Sequence, residues 1–125
     1  MQRYWVESGR VWSANARGVV WHGCPDGKPA QVAVAIPGTD DAAVLLSAHA
    51  GPRDAVGLRT WPHLLRMRPT GEVVWRIAAT GETGERDWWT ALRIVDGLLT
   101  ANTWSCYYRT LDPTTGRTLS SVFTK

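Results

Sequence analysis

The 125-residue chain has 44% hydrophobic and 20% charged residues, so it is long enough to bury one core and too apolar for extensive disorder. We therefore expect a single domain over residues 1–125. The formal net charge is +3, and the arginines are scattered along the chain rather than clustered. Because a nucleic-acid footprint would group them on one face, we expect solvent-facing strand positions for these arginines and no nucleic-acid role.

The cysteine content and the apolar runs indicate the compartment. Cys24 and Cys106 permit one disulfide but no disulfide framework. The first residues show no basic segment followed by an apolar one, so no signal peptide is expected. No apolar run approaches the roughly 18 residues of a membrane span. These features favour a cytoplasmic protein with two reduced thiols and no membrane contact.

Short β-rich runs separated by glycine and proline turns make up most of the chain. The first two runs flank Ser8-Gly9, where glycine supplies the positive φ of a two-residue hairpin turn. No window shows convincing helical periodicity, so we predict an all-β domain. Residues 49–62 have little β character, and the polar, glycine-rich residues 80–87 are typical of a loop. Further extended runs cover residues 17–21, 31–36, 42–47, 63–68 and 72–78.

The clearest hairpin surrounds Asp96-Gly97. A two-residue turn there pairs Val95 with Leu98 and Ile94 with Leu99. Both faces of the hairpin are then partly apolar, as expected for strands packed between neighbouring layers. One face carries Leu92, Ile94, Leu99 and Ala101, and the other carries Arg93, Val95, Leu98 and Thr100.

A repeat organises these runs. The turn glycines Gly27, Gly71 and Gly116 recur at spacings of 44 and 45 residues, each shortly after a proline. The segments around Gly9 and Gly97 also match, which places Asn15 and Asn102 at corresponding positions. We predict three four-stranded antiparallel units of about 44 residues, the first of them covering residues 1–36.

Residues 64–125, and the last unit in particular, resemble β-propeller blades of the quinoprotein or WD-like type, and residues 1–36 resemble them loosely. In such blades an Asp-Gly hairpin leads to a Leu-Asp-Pro turn with a glycine and then to an outgoing strand. Residues 64–75 resemble the same turn followed by the blade tryptophan. The resemblance implies a propeller-like fold and no particular activity, since such blades serve unrelated functions. The matching residues are Asp96, Gly97, Leu98, Leu111, Asp112, Pro113, Thr115, Gly116 and Lys125.

Three blades create a problem of closure. Propellers close with four to eight blades, so three leave two open faces. We expect two chains to assemble head to tail into a six-bladed ring, or to pair otherwise as a homodimer. The rival folds are a β-trefoil, whose usual Q-x-W signature is absent, and a small β-barrel or sandwich.

Catalytic and metal motifs do not emerge from the sequence. His22, His49 and His63 have no metal-ligand spacing and are expected on the surface or in turns. The aspartates at 26, 96 and 112 occur in turn sequences, where their side chains cap backbone amides. We therefore predict no catalytic residue, metal ligand or cofactor.

Aromatic residues form the best candidate binding surface. Trp88 and Trp89 point to opposite faces if they lie in a strand, so at most one belongs to a given core layer. The other follows Arg86 and a loop, and it can stack on a partner or on a small ligand. The complete candidate set is Arg86, Trp88, Trp89, Trp104 and Tyr107, with Tyr108 beside it.

The favoured function is a non-enzymatic β-repeat module that acts in protein–protein interaction and self-associates. The alternative is a carbohydrate- or small-ligand-binding protein that uses exposed tryptophan and arginine. An immunity- or antitoxin-type inhibitor would suit the size of the chain, and an enzyme is the reading that the residues favour least.

Overall fold

A computed structural model describes residues 2–53, 57, 59–79 and 87–124. Within them, eleven strands form three antiparallel sheets, and single 3-10 turns occupy Pro25–Gly27 and Ala48–Ala50. The all-β prediction is confirmed, and three separate sheets replace the closed barrel of a trefoil.

The first sheet contains β1 (Arg3–Glu7), β2 (Arg10–Asn15) and β3 (Gly18–Gly23). The middle sheet contains β4 (Ala30–Ala35), β5 (Ala42–Leu46), β6 (Leu64–Met67) and β7 (Val73–Ile77). The last sheet contains β8 (Trp89–Val95), β9 (Leu98–Thr103), β10 (Tyr107–Leu111) and β11 (Thr118–Phe123).

The hairpin between β8 and β9 has the predicted register. Val95 pairs with Leu98, and Ile94 pairs with Leu99. Asp96 and Gly97 both have positive φ, as the favoured two-residue hairpin turn requires. The face that carries Ile94 and Leu99 packs toward the middle sheet.

The predicted boundary of the first unit is wrong by one strand. β4 pairs with β5 in the middle sheet, so the first sheet has three strands among the described residues and the middle sheet has four. The middle sheet therefore does not need a strand from residues 49–62. β4 lies between two layers, because Val32 and Val34 pack toward the last sheet while Ala33 packs toward the first.

Two apolar cores separate the three sheets. β5 is buried along its whole length, and its side chains alternate between the cores. Ala42, Val44 and Leu46 contribute to the core shared with the first sheet. Ala43 and Leu45 contribute to the core shared with the last sheet. A strand that is apolar on both faces is expected between two packed layers.

Equivalent positions in the three sheets are marked by register irregularities. Each sheet has one in the hairpin formed by its last two strands, just after Ser13, Arg66 and Thr110 respectively. A glycine lies at the end of the turn that follows each of these positions: Gly18, which is the first residue of β3, Gly71 and Gly116.

This correspondence corrects the predicted repeat. Gly18, and not Gly27, is the counterpart of Gly71 and Gly116. β1, β2 and β3 correspond to β5, β6 and β7, so the described part of the first sheet has no counterpart of β4 and β8. Asn15 ends β2 and Asn102 lies on β9, so their positions in the two sheets differ. The sequence match around Gly9 and Gly97 was therefore misleading.

Neighbouring sheets bind one another through these turns. Ser13 and Trp21 are cross-strand partners in the first sheet. The Ser13 hydroxyl donates to the Pro69 carbonyl at 2.6 Å, and the Trp21 ring fills the space that a Cβ at Gly71 would need. We call Ser13 and Trp21 the turn-binding pair of the first sheet.

The middle sheet repeats this arrangement one sheet further on. Its turn-binding pair is Arg66 and Trp75, which are also cross-strand partners. The Arg66 guanidinium and the Trp75 indole both donate to the Pro113 carbonyl, at 2.8 and 2.9 Å. The Trp75 ring lies against Gly116. Each turn-binding pair therefore holds the turn of the next sheet.

Candidate functional site

Two of the predicted site residues form a surface aromatic pair. The rings of Trp88 and Trp104 stack with centroids 4.8 Å apart, and Trp104 is 62% exposed. The Arg59 guanidinium lies over Trp88, 5.8 Å from the ring centroid. Asp87 positions the pair, because one oxygen of its carboxylate accepts from the backbone amides of Trp88 and Ser105.

Two other predicted residues belong to a separate, internal group. Trp89 is only 2% exposed and lies in the core between the middle and last sheets. The Arg109 guanidinium is 5.5 Å from the Trp89 ring centroid and 5.7 Å from that of Tyr107. Trp88 is therefore the surface member of the Trp88–Trp89 pair, while Trp89 packs in the core. Arg86 lies outside the described residues.

Two arginines depart from the expected solvent-facing positions. Arg109 is 1% exposed, and one of its terminal nitrogens donates to the Ala79 carbonyl at 2.6 Å. Its other two nitrogens have no partner among the described residues. Arg66 is mostly buried and pairs with Asp41 at 2.8 Å. The alternation of Arg109 with Leu111 along β10 places both on the core face, and this sequence signal was overlooked.

His63 is also misplaced by the sequence reasoning. It is wholly buried rather than on the surface. Its Nδ1 donates to the Trp61 carbonyl at 2.8 Å, and its Nε2 accepts from the Trp89 backbone amide at 3.1 Å. The imidazole therefore joins β8 to the end of the connection that precedes β6, which is a structural role.

The side of the first sheet that faces away from the middle sheet is named the first end face. A ladder of stacked rings crosses it, because Trp5, Trp12 and His22 are neighbours on adjacent strands. Trp5 and Trp12 stack at 6.1 Å, and Trp12 and His22 stack at 4.2 Å. Arg3 lies over Trp5 at one end, and Arg10 donates to His22 at the other. The first end face is therefore aromatic and cationic.

The outward side of the last sheet is named the last end face. Leu98 and Val122 are 53% and 56% exposed there. Val95 is paired with Leu98, and Tyr108 is paired with Val122. Tyr108 also pairs with Asn102, which occupies the same side of β9 as Leu98, so the four side chains share one face. Arg93 adds a positive charge, because it occupies the same side of β8 as Val95.

Equivalent side chains in the middle sheet are covered by the last sheet. Leu64 and Ile77 are cross-strand partners at the positions that Tyr108 and Val122 occupy in the last sheet. Leu64 is buried in the core between the middle and last sheets, and Ile77 is partly buried and packs against that core. The last end face therefore exposes positions that are covered by another sheet elsewhere in the same chain.

The Tyr4 phenol has a strongly shifted pKa. Burial, followed by the negative charges of Asp41 and Asp40, raises the pKa of Tyr4 to about 12. The Tyr4 hydroxyl donates to the Asp40 carbonyl, which links β1 to the loop before β5. This contact is structural and lies between the first and middle sheets.

The described part of the chain contains no group of three or more His, Cys, Asp or Glu side chains that is able to hold a metal ion. None of its helices has the length and apolar character needed to cross a membrane. Cys24 and Cys106 are free thiols.

Comparisons with known proteins agree with the sheet arrangement. Residues 42–123 match a family model described as Domain of unknown function (DUF7957). No curated protein matches the chain. Among solved structures, the chain is similar to BamB from Moraxella catarrhalis, a β-propeller protein, with a TM-score of 0.56 and 15% identity. The match covers 97% of this chain and 32% of the BamB chain. The similarity confirms the propeller-blade fold.

Proposed function

The chain belongs to the DUF7957 family, and we propose that it is a non-enzymatic module that binds a protein partner through its two end faces. This proposal rests on the difference between the middle sheet and the two outer sheets in how many of their faces are covered. Both faces of the middle sheet are buried in cores, whereas the outer sheets each leave one face uncovered within the described chain. Large apolar side chains grouped on one exposed sheet face are typical of an interaction surface.

The partner that fits both faces is a second copy of the chain. Propellers close with four to eight sheets, and two copies arranged head to tail supply six. Each end face is then covered by the opposite end face of the other copy. Such a ring closes on itself, so no uncovered face remains for a third copy to extend.

Sedimentation equilibrium tests this proposal. The wild-type chain is expected to sediment at twice the chain mass. Aspartate at both Leu98 and Val122 places two charges inside the interface and is expected to give a monomer with unchanged far-UV circular dichroism. Val74→Asp is the matched control, because Val74 is also exposed but lies on β7, away from both end faces. A wild-type monomer at high micromolar concentration would count against a homodimer.

A second candidate function rests on the surface aromatic pair. The exposed ring of Trp104, backed by Trp88 and Arg59, resembles a stacking surface for a sugar or another flat ligand. Titration of intrinsic fluorescence with sugars and nucleotides tests it. Where a ligand changes the emission of the wild-type protein, Trp104→Ala is expected to abolish that change. Flat titrations at millimolar ligand would remove this candidate.

A further inference from the structure

Among the described residues, one turn is not held by a turn-binding pair. One cross-strand pair at the position of the turn-binding pairs has no turn to bind. The turns at Gly71 and Gly116 are covered by Trp21 and Trp75, whereas a Cβ at Gly18 meets no described atom within 4 Å. In the last sheet, Thr110 and Ser120 are the cross-strand pair at the position of the two turn-binding pairs. Both face outward, and no further sheet of the described chain supplies a turn to them.

The chemistry of the unused pair matches that of the used ones. Ser13 and Arg66 each donate to a turn carbonyl of the next sheet. Thr110 occupies the equivalent place beside the register irregularity, and its hydroxyl is a donor of the same kind as that of Ser13. The accepting carbonyls of Pro69 and Pro113 each lie three residues after the residue that precedes the register irregularity of their own sheet. Counted in the same way from Ser13, the corresponding carbonyl of the first sheet is that of Ala16. Ala16 is exposed.

Side-chain sizes on the two end faces are complementary. Ser120 stands where the middle sheet has Trp75, so the last end face lacks one large ring. Trp12 stands where the middle sheet has Leu65, so the first end face has one more large ring. The volume missing from one face is therefore present on the other, which favours their direct contact.

We propose that Thr110 and Ser120 bind the β2–β3 turn of a second copy, with the Thr110 hydroxyl donating to the Ala16 carbonyl of that copy. This inference rests on the proposed function and specifies its partner, orientation and contact. In a two-copy ring the contact occurs twice. Every turn would then be held by the preceding sheet, within or between copies.

Cross-linking tests the orientation. In a Cys24→Ser, Cys106→Ser background, Ala16→Cys and Thr110→Cys are made as separate proteins and treated with a short bis-maleimide. Neither protein alone is expected to cross-link, whereas an equimolar mixture is expected to give a covalent dimer. Val74→Cys mixed with Ala16→Cys is the control that should stay monomeric on a denaturing gel.

The outcomes separate this inference from the proposed function. Cross-linking of Ala16→Cys with itself would show a head-to-head dimer, which overturns the inference but keeps self-association. A dimeric mass with no cross-link in the mixture would likewise overturn the inference but keep self-association. A monomeric mass without cross-links would overturn both.

The hydrogen bond has its own test. Thr110→Val keeps the shape of the side chain and removes the hydroxyl, so the dimer dissociation constant is expected to rise about fivefold per contact, or about 25-fold for the ring. Ser121→Ala is the matched control, because Ser121 pairs with Arg109 on the opposite face of the last sheet. Equal dissociation constants for the two variants would overturn the proposed contact.

Discussion

Gly71→Ala tests the way in which the first sheet holds the turn of the middle sheet. Gly71 has a φ of +90°, and a Cβ there would lie 2.5 Å from two ring carbons of Trp21. Contacts this short force the ring or the turn to move, and Trp21 is packed against the core between the two sheets. We expect a cost of about 1–3 kcal/mol for overpacking, in addition to about 1–3 kcal/mol for backbone strain.

Gly38→Ala isolates the strain contribution. Gly38 has a φ of +77°, and a Cβ there would meet no described atom within 4 Å. Urea unfolding followed by circular dichroism should therefore show Gly71→Ala to be less stable than Gly38→Ala by about 1–3 kcal/mol. In a Trp21→Leu background this difference should largely disappear, because the two sites are directly coupled. Equal losses in both glycine variants would refute the turn-binding role of Trp21.

Three further predictions follow from burial and charge. Trp89→Ala should lower the free energy of unfolding by about 3–5 kcal/mol, whereas Trp104→Ala should change it by less than about 1 kcal/mol. Urea midpoints compare the two variants, and equal losses would contradict the placement of Trp89 in the core and Trp104 on the surface. Arg66→Met should lower the free energy of unfolding by about 3–5 kcal/mol, because it leaves the buried Asp41 carboxylate unpaired. Arg68→Met removes an exposed ion pair and should lower it by less than about 1 kcal/mol. Similar losses of stability in thermal unfolding would argue against the buried pair. Because the pKa of Tyr4 is raised to about 12, the folded state holds the phenol proton more tightly than the unfolded one, so stability should fall as pH rises from 10 to 12. Urea midpoints across this range should fall less in Tyr4→Phe, and parallel curves would contradict the shift.

Local turn chemistry made part of the fold predictable. Asp96-Gly97 fixes its hairpin through positive φ at both residues, and the pairing of Val95 with Leu98 follows from the turn alone. The sheet to which β4 belongs could not be read in this way. Its apolar alternation suits either neighbouring sheet, and only packing on both sides selects β5 as its partner.

Glycine spacing misidentified the first repeat for a similar reason. Gly18 and Gly27 both have positive φ, so both carry the sequence signature of a tight turn. Gly27 lies in the link between two sheets, whereas Gly18 joins the strands of one hairpin. The distinction depends on which strands pair, and this is a tertiary property that single-residue preferences do not encode.

The candidate site was predictable only as far as strand alternation allows. Alternation required that Trp88 and Trp89 separate, but the face that each takes depends on how the last sheet packs on the middle one. The stacking of Trp88 on Trp104 follows from the Asp87 carboxylate, which accepts from the Trp88 amide just before β8 and from the Ser105 amide in the β9–β10 turn. The end faces required the sheets themselves, because their residues are ordinary strand residues in sequence.

The first sheet has three strands among the described residues, and this has a consequence for the centre of a two-copy ring. β4 touches both β1 and β8, so the first strands of complete sheets line the central passage. Of the six sheets in the ring, only four would then contribute a strand to the passage. The two gaps would lie opposite each other, one beside β1 of each copy. β1 has a strand partner on one side only within the described residues. The passage would therefore be elongated and twofold, and main-chain amide and carbonyl groups would form part of its wall.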